Sequence, residues 1–151
     1  LDENIKLLSE VNKFIEINLN KKDEEILLEC DKEQISRVFI NLIKNSIESI
    51  EQKVEKNADF KKKISIDILS NNDHILISIE DNGIGFDKNN IEEILNPYYT
   101  TKKNGTGLGL SIVNKIINDH KGELEFIPIK NGAKIQIRFY FNDNRNINSG
   151  W

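Results

Sequence analysis

Polar and apolar residues alternate in six short stretches of the chain, and this period of two is typical of strands with one buried face. The stretches run from Phe14 to Leu19, from Ile26 to Glu29, from Ile64 to Ile68, from His74 to Glu80, from Glu123 to Ile129 and from Ala133 to Phe141. Turn residues at Asn71–Asp73 and Lys130–Gly132 separate members of the last four stretches. The pattern therefore predicts two β-hairpins.

Helical spacing of apolar residues occurs in three other stretches. The first is a short helix predicted over Leu1–Val11. The last is predicted from Leu110 to about Asp119 or His120, ending near Gly122. Asp31, with Gln34 three residues later, predicts the N-cap of the longest helix. The apolar face of that helix, which must pack on a sheet, consists of Ile35, Val38, Phe39, Leu42, Ile43, Ile47 and Ile50.

Length and composition are those of one domain with its own core. We expect residues 1–141 of the 151 to form this domain and residues 142–151 to form a disordered tail. A formal net charge of −4 argues against a nucleic-acid-binding surface. Cys30 is the only cysteine, so no internal disulfide can form, and we expect a structural role for it. No apolar run is long enough to cross a bilayer. Because the chain begins at leucine without a signal-peptide pattern, we expect it to be part of a longer protein.

Two glycine-rich loops are the candidate chemistry. The first, Asp81–Phe86, has the sequence Asp-Asn-Gly-Ile-Gly-Phe and places a carboxylate at the end of a strand. The second, Gly105–Leu110, has the sequence Gly-Thr-Gly-Leu-Gly-Leu and opens a helix, where backbone N–H groups and the helix dipole favour a phosphate. Either loop alone would be weak evidence, because glycine-rich turns before helices are common connections.

A third motif lies on the long helix. Arg37, Asn41 and Asn45 follow one another at intervals of four, so they share one stripe beside the buried face. Two aligned amides indicate a ligand. The alternative is that these asparagines occupy a solvated face in an Asn- and Lys-rich sequence.

The two loops, the asparagine stretch Asn41–Ile50 and the segment Pro97–Lys102 occur together in an order that resembles the nucleotide-binding domain of sensor histidine kinases. The wider superfamily includes gyrase, heat-shock chaperone ATPases and mismatch-repair ATPases. The resemblance covers about Asn12 to Phe141 and is closest to the nitrogen-regulation type. It implies an α/β two-layer sandwich of the Bergerat type, with a mixed sheet of roughly five strands and three helices on one face.

The resemblance also implies roles for individual residues. Asn45 would give its carbonyl oxygen to a Mg²⁺ ion that bridges the phosphates of ATP, a ligand type that this hard cation prefers. Asp81 would accept a hydrogen bond from the adenine amino group and so favour adenine over guanine. The alternative for Asp81 is that it caps a turn. The other candidate ATP-binding residues are Asn41, Glu48, Gly83, Gly85, Thr101, Lys102, Gly105, Thr106, Gly107, Leu108, Gly109 and Leu110.

Asn41 and Lys102 are the candidate catalytic residues. Hydrolytic members of the superfamily usually have a glutamate at the Asn41 position, and an amide cannot act as a general base, so the site is predicted to hold ATP without hydrolysing it. Lys102 is predicted to pair with the terminal phosphates. It lies in a predicted lid, Lys88–Lys103, in which one or two helical turns end at Pro97. Tyr98 and Tyr99 are interpreted either as core or as aromatic residues that pack this lid.

Neither His74 nor His120 fits the phosphorylated histidine that a histidine kinase needs, because one begins a strand and the other ends a helix. The acceptor is expected on a separate dimerisation domain of the same protein, with a response regulator receiver domain as the next partner. The domain is expected to be cytoplasmic, whether or not the full-length protein has an inner-membrane anchor. Two alternatives stay open, namely an ATPase of the same superfamily and a nucleotide-regulated binding module without phosphotransfer.

Overall fold

The computed structural model describes residue 6 and residues 14–22, 26–54, 60–86, 93–98 and 107–141. In chain order the elements are strand β1 (Glu16–Lys21), helix α1 (Lys32–Val54), strands β2 (Lys63–Ser70) and β3 (His74–Asp81), a 3₁₀ helix (Glu93–Leu95), helix α2 (Gly109–Asp119), and strands β4 (Gly122–Pro128) and β5 (Ala133–Tyr140).

The strands form one mixed sheet in the order β1-β2-β3-β5-β4. β1 and β2 are parallel, and α1 connects them. The pairs β2–β3, β3–β5 and β4–β5 are antiparallel. β3 is the middle strand, and its register sets Asp81 opposite Ile64 on one side and Ala133 on the other. The predicted five-stranded mixed sheet and both hairpins are confirmed.

One face of the sheet carries the core. Along β2, β3 and β5 every second residue is buried, which is the expected result of a period of two. Helix α1 packs its predicted apolar face on these strands, and every residue of that face is buried. Helix α2 adds Val113, Ile116 and Ile117 to the same core. The predicted α/β two-layer arrangement is therefore confirmed.

The N-terminus of α1 is capped as predicted. The Asp31 carboxylate accepts the backbone N–H groups of Glu33 and Gln34, each at 3.0 Å. These hydrogen bonds, the one from Gln34 first, hold the pKa of Asp31 below its usual value. The Gln34 amide donates to the carboxylate at 3.3 Å, while the N–H of Asp31 donates to Nε2 of His120 at 3.0 Å. The return contact of a capping box is thus made by a histidine from α2.

One predicted strand needs correction. Residues 26–29 do not form a strand, although Ile26 and Leu28 pack against the core. Their alternation marks a segment with one buried side, and no neighbouring strand pairs with it in the described part of the sheet. Cys30, for which we expected a structural role, has an exposed side chain, and partial desolvation raises the pKa of its thiol.

Helix number also differs from the expectation of three. The described residues contain two α-helices and the 3₁₀ helix Glu93–Leu95, which ends before Pro97 as predicted. The predicted helix over Leu1–Val11 falls outside the described residues except for Lys6, which is helical. The predicted tail, residues 142–151, is also outside them. Among the described helices, none is both long enough and apolar enough to span a bilayer.

Candidate functional site

Asp81 is the last residue of β3 and lies on the core side of the sheet, beneath α1. Its side chain is only 5% exposed, which is unusual for a carboxylate. The strand delivers it there because Ile75, Ile77 and Ile79 occupy the preceding positions of the same buried face. A costly buried acid at a strand end indicates a function beyond capping a turn.

Hydrogen bonds from the loop after β3, from α1 and from β5 satisfy this carboxylate. Its Oδ1 accepts the backbone N–H of Gly83 at 2.9 Å and the hydroxyl of Ser49 at 3.4 Å. The Ser46 side chain and the Ala133 backbone are further hydrogen-bonding partners. Burial raises the pKa of Asp81, and these hydrogen bonds oppose the rise because they favour the charged form.

The loop after Asp81 is attached to the last two turns of α1. The N–H of Ile84 points at both the hydroxyl and the carbonyl oxygen of Ser49, at 3.1 and 3.2 Å. The Lys53 ammonium donates to the carbonyl oxygens of Asn82 and Gly83 at 2.7 and 3.0 Å. The same ammonium lies 4.7 Å from the ring centroid of Phe60. The conformation of this loop therefore depends on Ser49 and Lys53 of α1, which lie outside the Asp81–Phe86 motif.

Glycine is required at two points around this loop. A β-carbon on Gly83 would collide with the Ser49 backbone and with N of Ile50. Gly132, in the turn between β4 and β5, has φ +115°, and a β-carbon there would meet the carbonyl group of Asp81. The strand end, the loop and the distant hairpin turn thus pack with their backbones in contact.

Five polar residues, spaced four apart, form a stripe along α1 that we call the polar stripe: Arg37, Asn41, Asn45, Ser49 and Lys53. Sequence reasoning found the first three members and missed Ser49 and Lys53, although the same spacing of four continues to them. It also missed Ser46. A serine among the isoleucines and leucines of the apolar face is the sequence signal that could have identified it.

The start of α2 lies across from Asn41. A β-carbon on Gly109 would stand 3.4 Å from Oδ1 of Asn41, while the Asn41 amide donates to the carbonyl oxygen of Arg37 at 2.8 Å. Leu108 precedes the helix and provides no side-chain cap, and Gly107 has φ +66°. The second glycine loop therefore leads its helix directly toward the asparagine stretch.

The remaining predicted site residues divide into two groups. Asn45, Glu48, Gly85, Leu108 and Leu110 lie half-buried on α1 or at the loop ends. Outside the described residues lie Tyr99, Thr101, Lys102, Lys103, Gly105, Thr106 and most of the predicted lid.

Tyr98, one of two tyrosines interpreted as core or lid aromatics, is not part of the core. Its side chain is 78% exposed, and its φ is +69°. Its N–H donates to the carbonyl oxygen of Gly107 at 3.0 Å. The segment after the 3₁₀ helix is thereby joined to the second glycine loop.

The two histidines occupy structural positions. His120 lies at the C-cap of α2, where its Nδ1 contacts the carbonyl oxygen of Ile116 at 2.8 Å and its Nε2 faces Asp31. His74 packs against Tyr140 with ring centroids 5.9 Å apart. Both positions agree with the expectation that neither is the phosphoacceptor, which remains a prediction.

Comparison with known proteins supports the resemblance. Residues 30–143 match the family described as histidine kinase-, DNA gyrase B- and HSP90-like ATPase. Sporulation kinase E of Bacillus subtilis is 36% identical over 110 residues, covering 73% of this chain and 14% of that protein. A putative NtrY-like sensor histidine kinase of Rickettsia conorii is 35% identical over 130 residues, covering 85% of this chain and 21% of that protein. The chain thus spans only about a fifth or less of the length of these relatives.

Among solved structures, the nucleotide-free catalytic domain of the histidine kinase ThkA superposes with a TM-score of 0.77 at 31% identity. The superposition covers 93% of this chain and 91% of that one. Sequence family and fold therefore agree, and the relatives include the nitrogen-regulation type that the motifs indicated. The chain belongs to the family of histidine kinase-, DNA gyrase B- and HSP90-like ATPases and corresponds to the ATP-binding catalytic domain of sensor histidine kinases.

Proposed function

We propose that residues 1–141 form one catalytic domain that binds Mg-ATP and donates the γ-phosphate to a histidine on a separate dimerisation domain. The single observation that carries this proposal is the buried Asp81 carboxylate, held against a helix whose polar stripe runs toward the first turn of α2. The same long helix, α1, therefore lies beside both the Asp81 carboxylate, which can accept a hydrogen bond from a base, and the N-terminus of α2, which can bind phosphates.

Asp81 would recognise adenine. An ionised carboxylate only accepts hydrogen bonds, so it pairs with the amino group of adenine and repels the carbonyl oxygen of guanine. Gly83 and Gly85 would allow the base to approach the backbone of the loop. In this proposal the cost of burying the carboxylate is offset when the base supplies a further donor.

The phosphates would lie beside Asn41, Asn45 and the N-terminus of α2, where N–H groups and the helix dipole favour negative charge. Asn45 suits Mg²⁺ because its amide oxygen is a hard, neutral ligand, and Mg²⁺ takes its other ligands from phosphates and water. When bound, the ion neutralises phosphate charge. Lys102 would add a positive charge at the terminal phosphate. Glu48, Thr101 and residues 105–110 complete the proposed ATP-binding set.

Transfer would need positioning more than acid–base chemistry. A neutral imidazole nitrogen of the acceptor attacks the γ-phosphorus, the bond to the β-phosphate oxygen breaks, and ADP leaves. Asn41 holds an amide where a hydrolytic enzyme would need a base to activate water. The proposed consequence is slow hydrolysis of bound ATP and fast transfer only when the acceptor histidine is docked.

The proposed partners follow from this reaction. The histidine-bearing dimerisation domain of the same protein would receive the phosphate, and a response regulator receiver domain would take it onto an aspartate. We propose a cytoplasmic location for the domain, where ATP is available.

The test is calorimetric titration of the chain with ATP, with and without Mg²⁺, followed by measurement of released phosphate in the same samples. Magnesium-dependent binding with negligible phosphate release is expected, and a histidine-bearing domain added afterwards should become phosphorylated. Rapid phosphate release would favour an ATPase. Binding without transfer to any added acceptor domain would favour a nucleotide-regulated binding module, and absence of binding would overturn the proposal.

A further inference from the structure

Two serines of α1 face the Asp81 carboxylate from successive turns. Ser49 donates its hydroxyl to Oδ1 at 3.4 Å, and Ser46, only 4% exposed, is a hydrogen-bonding partner of the same carboxylate. They are three residues apart, which puts both on one side of the helix. This side of α1 faces the end of β3, so both hydroxyls lie toward the Asp81 carboxylate.

The protonation state of Asp81 decides which base it can bind. As an anion it accepts a hydrogen bond from adenine, whereas a protonated carboxyl also donates and could bind the carbonyl oxygen of guanine. Burial of the side chain favours the protonated form, and hydrogen bonds donated to the carboxylate favour the anion. A change in the hydrogen bonds donated to Asp81 would therefore change the preference between the two bases.

We propose that Ser46 and Ser49 are positioning residues that hold Asp81 as an acceptor-only group and thereby set the preference for adenine over guanine. The inference rests on the proposed function for its second half, the recognition of adenine. Its first half, the effect of the two hydroxyls on Asp81, concerns the protein alone.

Few charged groups on the surrounding elements compete with the hydroxyls. On α1 the titratable residues around the two serines are Lys44, Glu48, Glu51 and Lys53. The Lys53 ammonium is bonded to the carbonyl oxygens of Asn82 and Gly83. On the strands, Lys134 and Glu80 pair at 3.4 Å, and they alternate with the core-facing residues and so lie on the opposite face of the sheet. Lys63 also alternates with the buried positions of β2.

The first measurement uses no nucleotide. The ¹³C carboxyl resonance of Asp81 is assigned by its absence in Asp81→Asn and is titrated with pH in the wild type and in Ser46→Ala, Ser49→Ala and the double variant. The titration midpoint is expected to move to higher pH in each single variant and furthest in the double variant. Ser-to-Ala changes in a helix are favourable for helix formation, so the variants are expected to fold. An unmoved midpoint would overturn the inference.

The second measurement is the affinity for ATP and for GTP between pH 5 and pH 8. Loss of the hydroxyls should weaken ATP binding about 2- to 10-fold and lower the ratio of ATP to GTP affinity, most at the acidic end. A moved midpoint with unchanged ATP affinity would overturn the assignment of Asp81 to adenine and leave the effect of the hydroxyls on Asp81 standing.

The matched control is Ser78→Ala. Ser78 is also buried, at 7% exposure, and also makes a side-chain hydrogen bond, from the Gln136 amide at 3.1 Å. It lies on β3 three residues before Asp81 and on the other face of the sheet, because alternate residues of a strand face opposite sides. Neither the Asp81 titration nor the ATP-to-GTP ratio should change in this variant, and an equal change would show a general effect of losing a buried hydroxyl.

Discussion

The imidazole of His120 accepts the backbone N–H of Asp31 through Nε2 at 3.0 Å, which joins the end of α2 to the first turn of α1. Its Nδ1 contacts the carbonyl oxygen of Ile116 at 2.8 Å, so Nδ1 carries the proton and Nε2 is the acceptor. One neutral side chain thus fixes how the two helices meet. These are the helices that carry Asn41 and Gly109.

Replacing His120 with alanine should remove this connection. We expect a loss of about 0.5 to 1.5 kcal/mol in the free energy of unfolding, the usual net contribution of a hydrogen bond, measured by urea denaturation. Asn118→Ala is the control, since it removes an exposed polar side chain from the same helix end. Equal losses in the two variants would contradict a specific role for His120.

Replacing Asp81 with asparagine should weaken ATP binding by about 10- to 100-fold, because hydrogen bonds to charged groups contribute about 1.5 to 3 kcal/mol and 1.4 kcal/mol is a factor of ten. Calorimetric titration with Mg-ATP measures the change. Asp67→Asn is the matched control, because Asp67 is bonded to Asn20 at 2.8 Å on the opposite face of the sheet. Unchanged ATP affinity in Asp81→Asn would contradict adenine recognition by this residue.

Stability should depend on pH through Asp81. Its pKa is raised by burial in the folded state, so the folded protein binds its proton more tightly than the unfolded chain does. The stability of the wild type relative to Asp81→Asn should therefore fall as the pH rises from about 3.9, the ordinary value for an aspartate, through the raised folded pKa. Urea denaturation of both proteins at a series of pH values measures this change. A wild type that gains stability relative to Asp81→Asn as the pH rises would contradict the burial argument.

Replacing Asn45 with alanine should reduce binding of Mg-ATP more than binding of AMP. The reason is that the amide oxygen is assigned to the metal on the phosphates and makes no contribution to the base. Titrations with ATP and AMP, each with and without Mg²⁺, separate the two effects, and Asn18→Ala on β1 controls for the loss of an amide elsewhere. An equal loss for ATP and AMP would contradict the metal assignment.

Replacing Gly132 with alanine should destabilise the fold by about 1 to 3 kcal/mol, because alanine is strained at a φ of +115° and its β-carbon would collide with the Asp81 carbonyl group. Gly109→Ala is the contrast. Gly109 is helical, and its β-carbon would reach only Oδ1 of Asn41 at 3.4 Å. Thermal unfolding should show a lower Tm for the first variant and little change or a rise for the second, and similar falls would contradict this reading of the turn.

The elements that could be predicted from the sequence are those with strong local rules. The apolar face of α1, its N-cap at Asp31 and both hairpins follow from periodicity and turn chemistry, and the glycine loops could be recognised from motif order. Residues 26–29 were predicted wrongly because alternation reports which side is buried and carries no information about a partner strand.

The surroundings of the first glycine loop could not be predicted, because they depend on contacts between residues far apart in the chain. Lys53 and Asn82, for example, are 29 positions apart. Ser49 lies on the polar stripe with the predicted site residues Asn41 and Asn45, but only the position of β3 beneath it brings its hydroxyl to the Asp81 carboxylate. Sequence therefore predicts the candidate site as a set of motifs, and the fold supplies the residues that hold them.

The polar stripe has one more consequence for the proposed site. Asn45 and Ser49 are one helical turn apart, about 6 Å along the axis. In the proposed site, α1 would therefore fix the distance between the metal-bound phosphates and the base. One extra residue between them would rotate Ser49 and Lys53 by about 100° relative to Asn45 and detach the loop. The spacing of polar residues along α1 would thus determine which length of nucleotide fits the site.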